Sequence, residues 1–167
     1  MTKIQTTVAI LLTLMLTACG GGEKNAEAAN PAFDPDRWVG AWVESWNTYD
    51  LDQVDRLFLR DDRVSYFSSE KEGAIRGMEA VREHHRDFGF VPGGKQQPNR
   101  LWVEDLRASA FDGAAVVTGF WFFQRPDGSV QRGPVTFVYV ARGEEYRLAH
   151  LHFANYPDGD SEEGESR

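Results

Sequence analysis

From Phe33 onward, apolar residues recur first at helical spacing and later in alternation. Asp34-Pro35 supplies an N-cap followed by proline at the first helical position. Trp38, Trp42 and Trp46 then return every four residues, with Val39 and Val43 beside them. This predicts a helix running to about Tyr49, with the three indoles on its buried face. Such a stripe reads as core, the alternative being an aromatic cage for a ligand. Asp50 predicts the cap of a second, shorter helix with Leu51, Val54, Leu57 and Phe58 inward. Val64–Ser68 reads as a short strand. Gly77–Phe88 reads as a third helix, ended by Gly89 and the Pro92-Gly93-Gly94 loop. Four strand-like segments follow: Leu101–Phe111, Ala114–Arg125, Val130–Ala141 and Tyr146–Ala154. The short turns Pro126–Ser129 and Arg142–Glu145 make their neighbours antiparallel. Helices first and a meander afterwards predict an α+β fold with helices packed on one sheet face.

Strict alternation gives each strand two faces. In the last strand, one set is Leu148, His150 and His152, and the other is Arg147, Ala149, Leu151 and Phe153. In the third, Val135, Phe137 and Tyr139 oppose Thr136, Val138 and Val140. In the second, Val117, Gly119, Trp121 and Phe123 oppose Val116, Thr118, Phe120 and Phe122. Strands apolar on both faces are covered on both. Helices cover one face; a second copy of the chain is the expected cover for the other, giving a homodimer through the sheet.

On the third helix, Val81, His84 and Phe88 lie at i, i+3 and i+7, which points His84 inward and predicts that His85 faces solvent. An inward histidine is either a core residue bonded to a backbone carbonyl or a pocket residue that binds or moves a proton. His150 and His152 share a strand face at about 6.5–7 Å, a spacing that metal sites use. A third ligand is lacking unless Glu104 or Asp105 supplies it, so no metal and no cofactor are expected, and an interface role for the pair is the alternative.

The chain has 167 residues, 18 basic and 26 acidic, with a single cysteine. The acidic balance argues against nucleic acid as a partner, and one cysteine excludes a disulfide framework or a multi-cysteine zinc site. That cysteine sits at the end of Leu16-Thr17-Ala18-Cys19, after the apolar run Val8–Leu16. The run is shorter than the roughly 20 residues needed to span a bilayer. The pattern resembles a bacterial lipobox, which implies a signal peptide over 1–18, lipidation of Cys19 and anchoring in the cell envelope. Gly20 after the cysteine resembles lipoproteins sorted to the outer membrane, on its periplasmic side, in a Gram-negative host. Residues 19–31 then read as a flexible tether, 32–157 as the folded domain, and 158–167 as an acidic disordered tail.

The element order, together with Tyr146-Arg-Leu-Ala-His150-Leu-His152-Phe-Ala-Asn-Tyr-Pro157, resembles the NTF2-like cone fold. The closing run resembles the last strand of its SnoaL-like and calcium/calmodulin-dependent kinase association-domain branches. Gly113-Ala-Ala-Val-Val117 and Thr136-Phe-Val-Tyr-Val140 fit the two preceding strands. The resemblance covers about Phe33–Pro157 and implies a cone cavity and a dimer through the sheet. Aligned to the kinase association domains, His84 falls at a cavity histidine, and the cavity arginines fall on Trp121, Phe137 and Phe153. The implied ligand is therefore a small apolar or aromatic molecule rather than a carboxylate. His84, Trp121, Phe137, Tyr139 and Phe153 are expected to line the site; Tyr66, His150 and His152 are secondary candidates. The leading expectation is a membrane-anchored binding module without catalysis. The alternative is an isomerase or hydrolase resembling ketosteroid isomerase, with His84 as acid or base beside Tyr139 or Tyr66. A third reading is an oligomerisation unit whose interior is filled by side chains.

Overall fold

The computed structural model describes residues 32–157. The expected signal peptide, Cys19, the tether and the acidic tail lie outside the described residues. Three helices, α1 (Pro35–Thr48), α2 (Leu51–Leu57) and α3 (Met78–Asp87), accompany six strands: β1 (Ser65–Phe67), β2 (Ile75–Arg76), β3 (Arg100–Phe111), β4 (Ala114–Gln124), β5 (Val130–Arg142) and β6 (Glu145–Phe153). The sheet order is β2-β1-β6-β5-β4-β3. The expected meander β3–β6 is present, and β1 joins its β6 edge in parallel. The two-residue β2, which is too short to leave a periodic signal, pairs with β1.

Local chemistry sets the helix ends. Asp34 Oδ1 accepts the backbone N–H of Asp36 at 3.1 Å and of Arg37 at 3.3 Å, capping α1. Tyr49, in the left-handed region at φ 51°, ends it, and Asp50 caps α2 by accepting from Asp52 N. Trp38, Trp42 and Trp46 are all buried, as their spacing predicts. They meet an inner sheet face made by Val117, Trp121, Val135, Phe137, Tyr139, Leu148, Leu151 and Phe153. Asn47 ties α1 to β3 through paired bonds with the Leu101 backbone, donating to its carbonyl at 2.9 Å and accepting its N–H at 2.7 Å.

Two irregularities bend the sheet. The β5–β6 register shifts so that Val138 pairs with His150 but Tyr139 pairs with Leu148, leaving Ala149 as the extra residue. The bulge corrects the strict alternation expected for this strand. Tyr146, Leu148, Leu151 and Phe153 are buried, whereas His152 is exposed and His150 half-buried. Leu148 therefore does not share a face with the histidines. The second shift lies in β3 between Glu104 and Arg107, where Asp105 has φ 53°. Gly119 of β4 faces this kink, and a Cβ there would lie 2.8 Å from the Glu104 carbonyl oxygen.

Candidate functional site at the open end of the cone

The interior is not uniformly filled. Toward one end of the fold, Trp42, Phe137 and Tyr139 pack ring against ring: Trp42 lies 5.1 Å from Phe137, and Phe137 lies 6.2 Å from Tyr139. Phe33 closes over Tyr139 at 5.2 Å. Toward the other end an open pocket of ≈ 360 Å³ remains. Trp46 and Tyr49 of α1, Tyr66 of β1, Phe88 at the end of α3, Trp121 and Phe123 of β4 and Phe153 of β6 give it aromatic walls. Its rim is polar: Ser68–Glu70 after β1, Asp87, Asn99, Arg125 and Gln131.

Of the residues singled out in the sequence, Tyr66, Trp121 and Phe153 line this pocket. The Trp121 and Phe153 rings meet edge to face at 5.3 Å, and Phe153 lies 5.9 Å from Tyr66. Phe137 and Tyr139 also point to the helical side but are fully buried in the packed end, outside the pocket lining. His84 stands behind the wall, its ring 5.1 Å from Tyr66 and 5.0 Å from Phe88. His150 and His152 lie on the opposite sheet face with Phe67, their rings 6.5 Å apart. Ser65 Oγ and His150 Nδ1 share a hydrogen bond of 2.8 Å. Among the described residues no group of three metal-ligating side chains forms, there or elsewhere.

His85 corrects the expectation of solvent exposure: it is 0% exposed. Helical geometry explains this, because i+4 from Val81 lies on the same face as i+3 and i+7. Its Nδ1–H donates to the Val81 carbonyl at 2.7 Å, which fixes the neutral tautomer and leaves Nε2 as an unprotonated, unpartnered acceptor. Trp46, Phe58, Tyr66 and Phe90 surround the ring at 5.0–5.8 Å. Burial lowers the His85 pKa to about 4; the bond to Val81 opposes that shift and neighbouring His84 adds to it. The His84 pKa is also lowered to about 4, by burial and then by Lys71, with Asp87 opposing. Both imidazoles are therefore neutral near pH 7. Burial likewise pushes the hydroxyls of Tyr66 and Tyr139 far up, so both stay protonated.

One arginine stands at the mouth of the pocket. Arg125 lies over the Phe123 ring at 5.7 Å and donates to Gln131 Oε1 at 2.7 Å. Gln131 Nε2 in turn donates to Glu70 and, at 3.0 Å, to Asn155 Oδ1. The positive charge is thus chained to a carboxylate through one amide. The deeper walls carry no charge. The sequence favours core over an aromatic cage for the α1 stripe and so does not single out Trp46 as a wall, and it missed the rim, which comes from element ends and loops that have no periodicity.

Three helices laid on one face of a curved sheet, with a pocket at the open end, define a protein of the NTF2-like cone class. Residues 37–158 match the SnoaL-like domain, and the chain belongs to that family. Solved structures agree in fold. A candidate calcium/calmodulin-dependent protein kinase type II association domain from Thiobacillus denitrificans is 20% identical, with TM-score 0.62, and the match covers 78% of this chain and 100% of the other. A candidate ketosteroid isomerase from Parabacteroides distasonis is 16% identical, with TM-score 0.60 and coverages of 79% and 98%. An NTF2-like superfamily protein from Salmonella enterica serovar Typhimurium is 17% identical, with TM-score 0.59 and coverages of 77% and 92%. No curated protein matches the sequence.

Proposed function

We propose that this chain is a membrane-anchored SnoaL-like binding module that holds a small, predominantly apolar molecule at the open end of its cone. The observation that carries this reading is the contrast within one interior: the end around Phe137 and Tyr139 is packed, whereas the end around Trp121 and Phe153 is left open with aromatic walls. Aromatic walls with a few polar groups at the rim are the usual make-up of a small-molecule site. Anchoring would come from lipidated Cys19, and a second copy would cover the outer sheet face, where Phe67 and Phe120 are exposed.

A binding role is favoured over acid–base catalysis because, among the described residues, no carboxylate is hydrogen-bonded to His84 or His85, and neither ring lines the pocket. The test uses the neutral fluorophore N-phenyl-1-naphthylamine. Saturable binding at one site per chain is expected, and Trp121→Ala should weaken it at least fivefold. Fluorescence that never saturates, or that Trp121→Ala leaves unchanged, would end this reading.

A further inference from the structure

A second recess adjoins the mouth of the pocket. It is a groove of ≈ 650 Å³ beside the turn from β4 to β5 and the run that leaves β6. Glu70, Arg125 and Gln131 line both this groove and the aromatic pocket, so the two share a rim. The groove lining carries two guanidiniums, Arg125 and Arg132, against one carboxylate, Glu70. Its neutral polar side chains are already bonded. Gln131 accepts from Arg125 and donates to Glu70 and Asn155. Asn155 Nδ2 donates to the Ser69 carbonyl at 3.3 Å, and Ser129 Oγ donates to Asp127 at 2.7 Å. The unused capacity is positive. Arg125 spends one of its five N–H donors on Gln131. Arg132 makes no ion pair among the described residues.

The complement lies in the same chain. Tyr156 N–H donates to the Arg132 carbonyl at 3.0 Å, and Pro157 itself lines the groove. Residues 158–167 follow directly, with five carboxylates, one arginine and no large apolar side chain. A segment of that composition is held through charge-assisted hydrogen bonds or not at all. Ten extended residues reach at most about 33–36 Å, enough to pass from Pro157 along Arg132 to Arg125 and the shared rim. Attachment at Pro157 also keeps the segment at high effective concentration over the groove, which offsets the weakness of each exposed ion pair. We propose that residues 158–167 seat in this groove, their carboxylates paired with Arg132 and Arg125, and so lie as a strap across the mouth of the aromatic pocket. The seat does not depend on what the pocket holds; the effect on entry rests on the reading of the pocket as a binding site.

The experiment attaches a nitroxide at position 166 through Ser166→Cys, in the full-length chain carrying Cys19→Ser, which leaves no other thiol. A comparison chain carries the same label on a neutral segment of equal length: Asp158→Asn, Asp160→Asn, Glu162→Gln, Glu163→Gln and Glu165→Gln. At about 20 mM salt the label should broaden the amide signals of Arg125 and Arg132 at least about threefold more in the acidic chain than in the neutral one. The excess should vanish at about 0.5 M salt, where screening acts within a few ångströms, and in Arg125→Gln/Arg132→Gln. If that double variant does not fold, the neutral segment and the salt series decide. Equal broadening in the acidic and neutral chains would overturn the seat. Broadening passed from spin-labelled copies to nitroxide-free copies in a mixture would assign the segment to a neighbouring molecule and overturn the strap. Covering of the mouth is read separately, by stopped-flow uptake of N-phenyl-1-naphthylamine. The neutral chain should take it up at least about threefold faster at low salt, and both chains equally fast at high salt. Equal uptake at low salt, with the broadening in place, would leave the segment seated and overturn its position across the mouth. A fluorophore that never binds would remove the pocket reading, and the broadening alone would then decide the seat.

Discussion

Replacing His85 with leucine should make the fold less sensitive to acid. The ring is completely buried, and its pKa is lowered from 6.5 to about 4. The unfolded chain therefore binds a proton between pH 6.5 and pH 4 that the folded chain refuses, and stability must fall as pH falls through that window. The contribution is fully present above pH 6.5 and fully lost below about pH 4. Each pKa unit corresponds to about 1.4 kcal/mol, so this histidine alone should cost about 3 kcal/mol between neutral pH and the acid limit. Leucine fits the apolar cage of Trp46, Phe58 and Phe90. It strands no backbone acceptor, because the Val81 carbonyl sits inside α3, where a backbone N–H also serves it. The assay is urea unfolding at half-unit steps from pH 7.5 to 4, with both proteins in the same buffers. Carboxylates titrate alike in both, so the difference curve isolates residue 85. The His85→Leu curve should be flatter by about 3 kcal/mol over the window. Parallel curves would refute the reasoning, meaning that His85 reaches solvent or is protonated within the fold.

Other outcomes follow from the packing. Gly133→Ala should destabilise the protein by at least about 2 kcal/mol in chemical denaturation, because an added Cβ would fall on the Ala154 carbonyl and force β5 from the end of β6. Phe137→Ala should cost about 3–5 kcal/mol by the same measurement, yet change naphthylamine affinity less than Trp121→Ala does, since Phe137 stands outside the pocket lining. The unlipidated chain should sediment as a dimer at micromolar concentration, and Val138→Arg, at the centre of the outer sheet face, should return it to a monomer. Full-length protein should fractionate with membranes, and Cys19→Ser should release it.

The elements that the sequence makes legible are those long enough to repeat a period. Trp38, Trp42 and Trp46 mark α1 because four-residue spacing over three turns has no competing explanation. The meander is equally plain, since β3 to β6 each run nine residues or more between Gly- and Pro-containing turns. Strand faces are less secure, and β6 shows why. Reading outward from His150, alternation puts Leu148 beside it; the bulge at Ala149 inserts one residue and sends Leu148 to the core. A curved sheet needs such bulges, and the local sequence Arg147-Leu-Ala-His does not announce one. Trp121, Phe137 and Phe153 escaped this error because Phe153 lies beyond the bulge, in register with Val135.

The pocket was less legible than the fold because it lies where elements stop. Periodicity places a residue on a face but says nothing about how far along the cone that face is filled. Trp121, Phe137 and Tyr139 all point to the helical side, yet only Trp121 reaches the open end, because β4 runs antiparallel to β5 and its C-terminal half lies beside the start of β5. Position along the strand, not parity, separates pocket from core. The same consideration recasts the histidines of α3. Both His84 and His85 belong to the inward face, but they sit behind Tyr66 and Phe88 rather than in front of them. Their neutral rings thus set the depth and polarity of the wall, and the side chains a ligand would meet first are those of the lining itself, Tyr66, Trp121 and Phe153 among them.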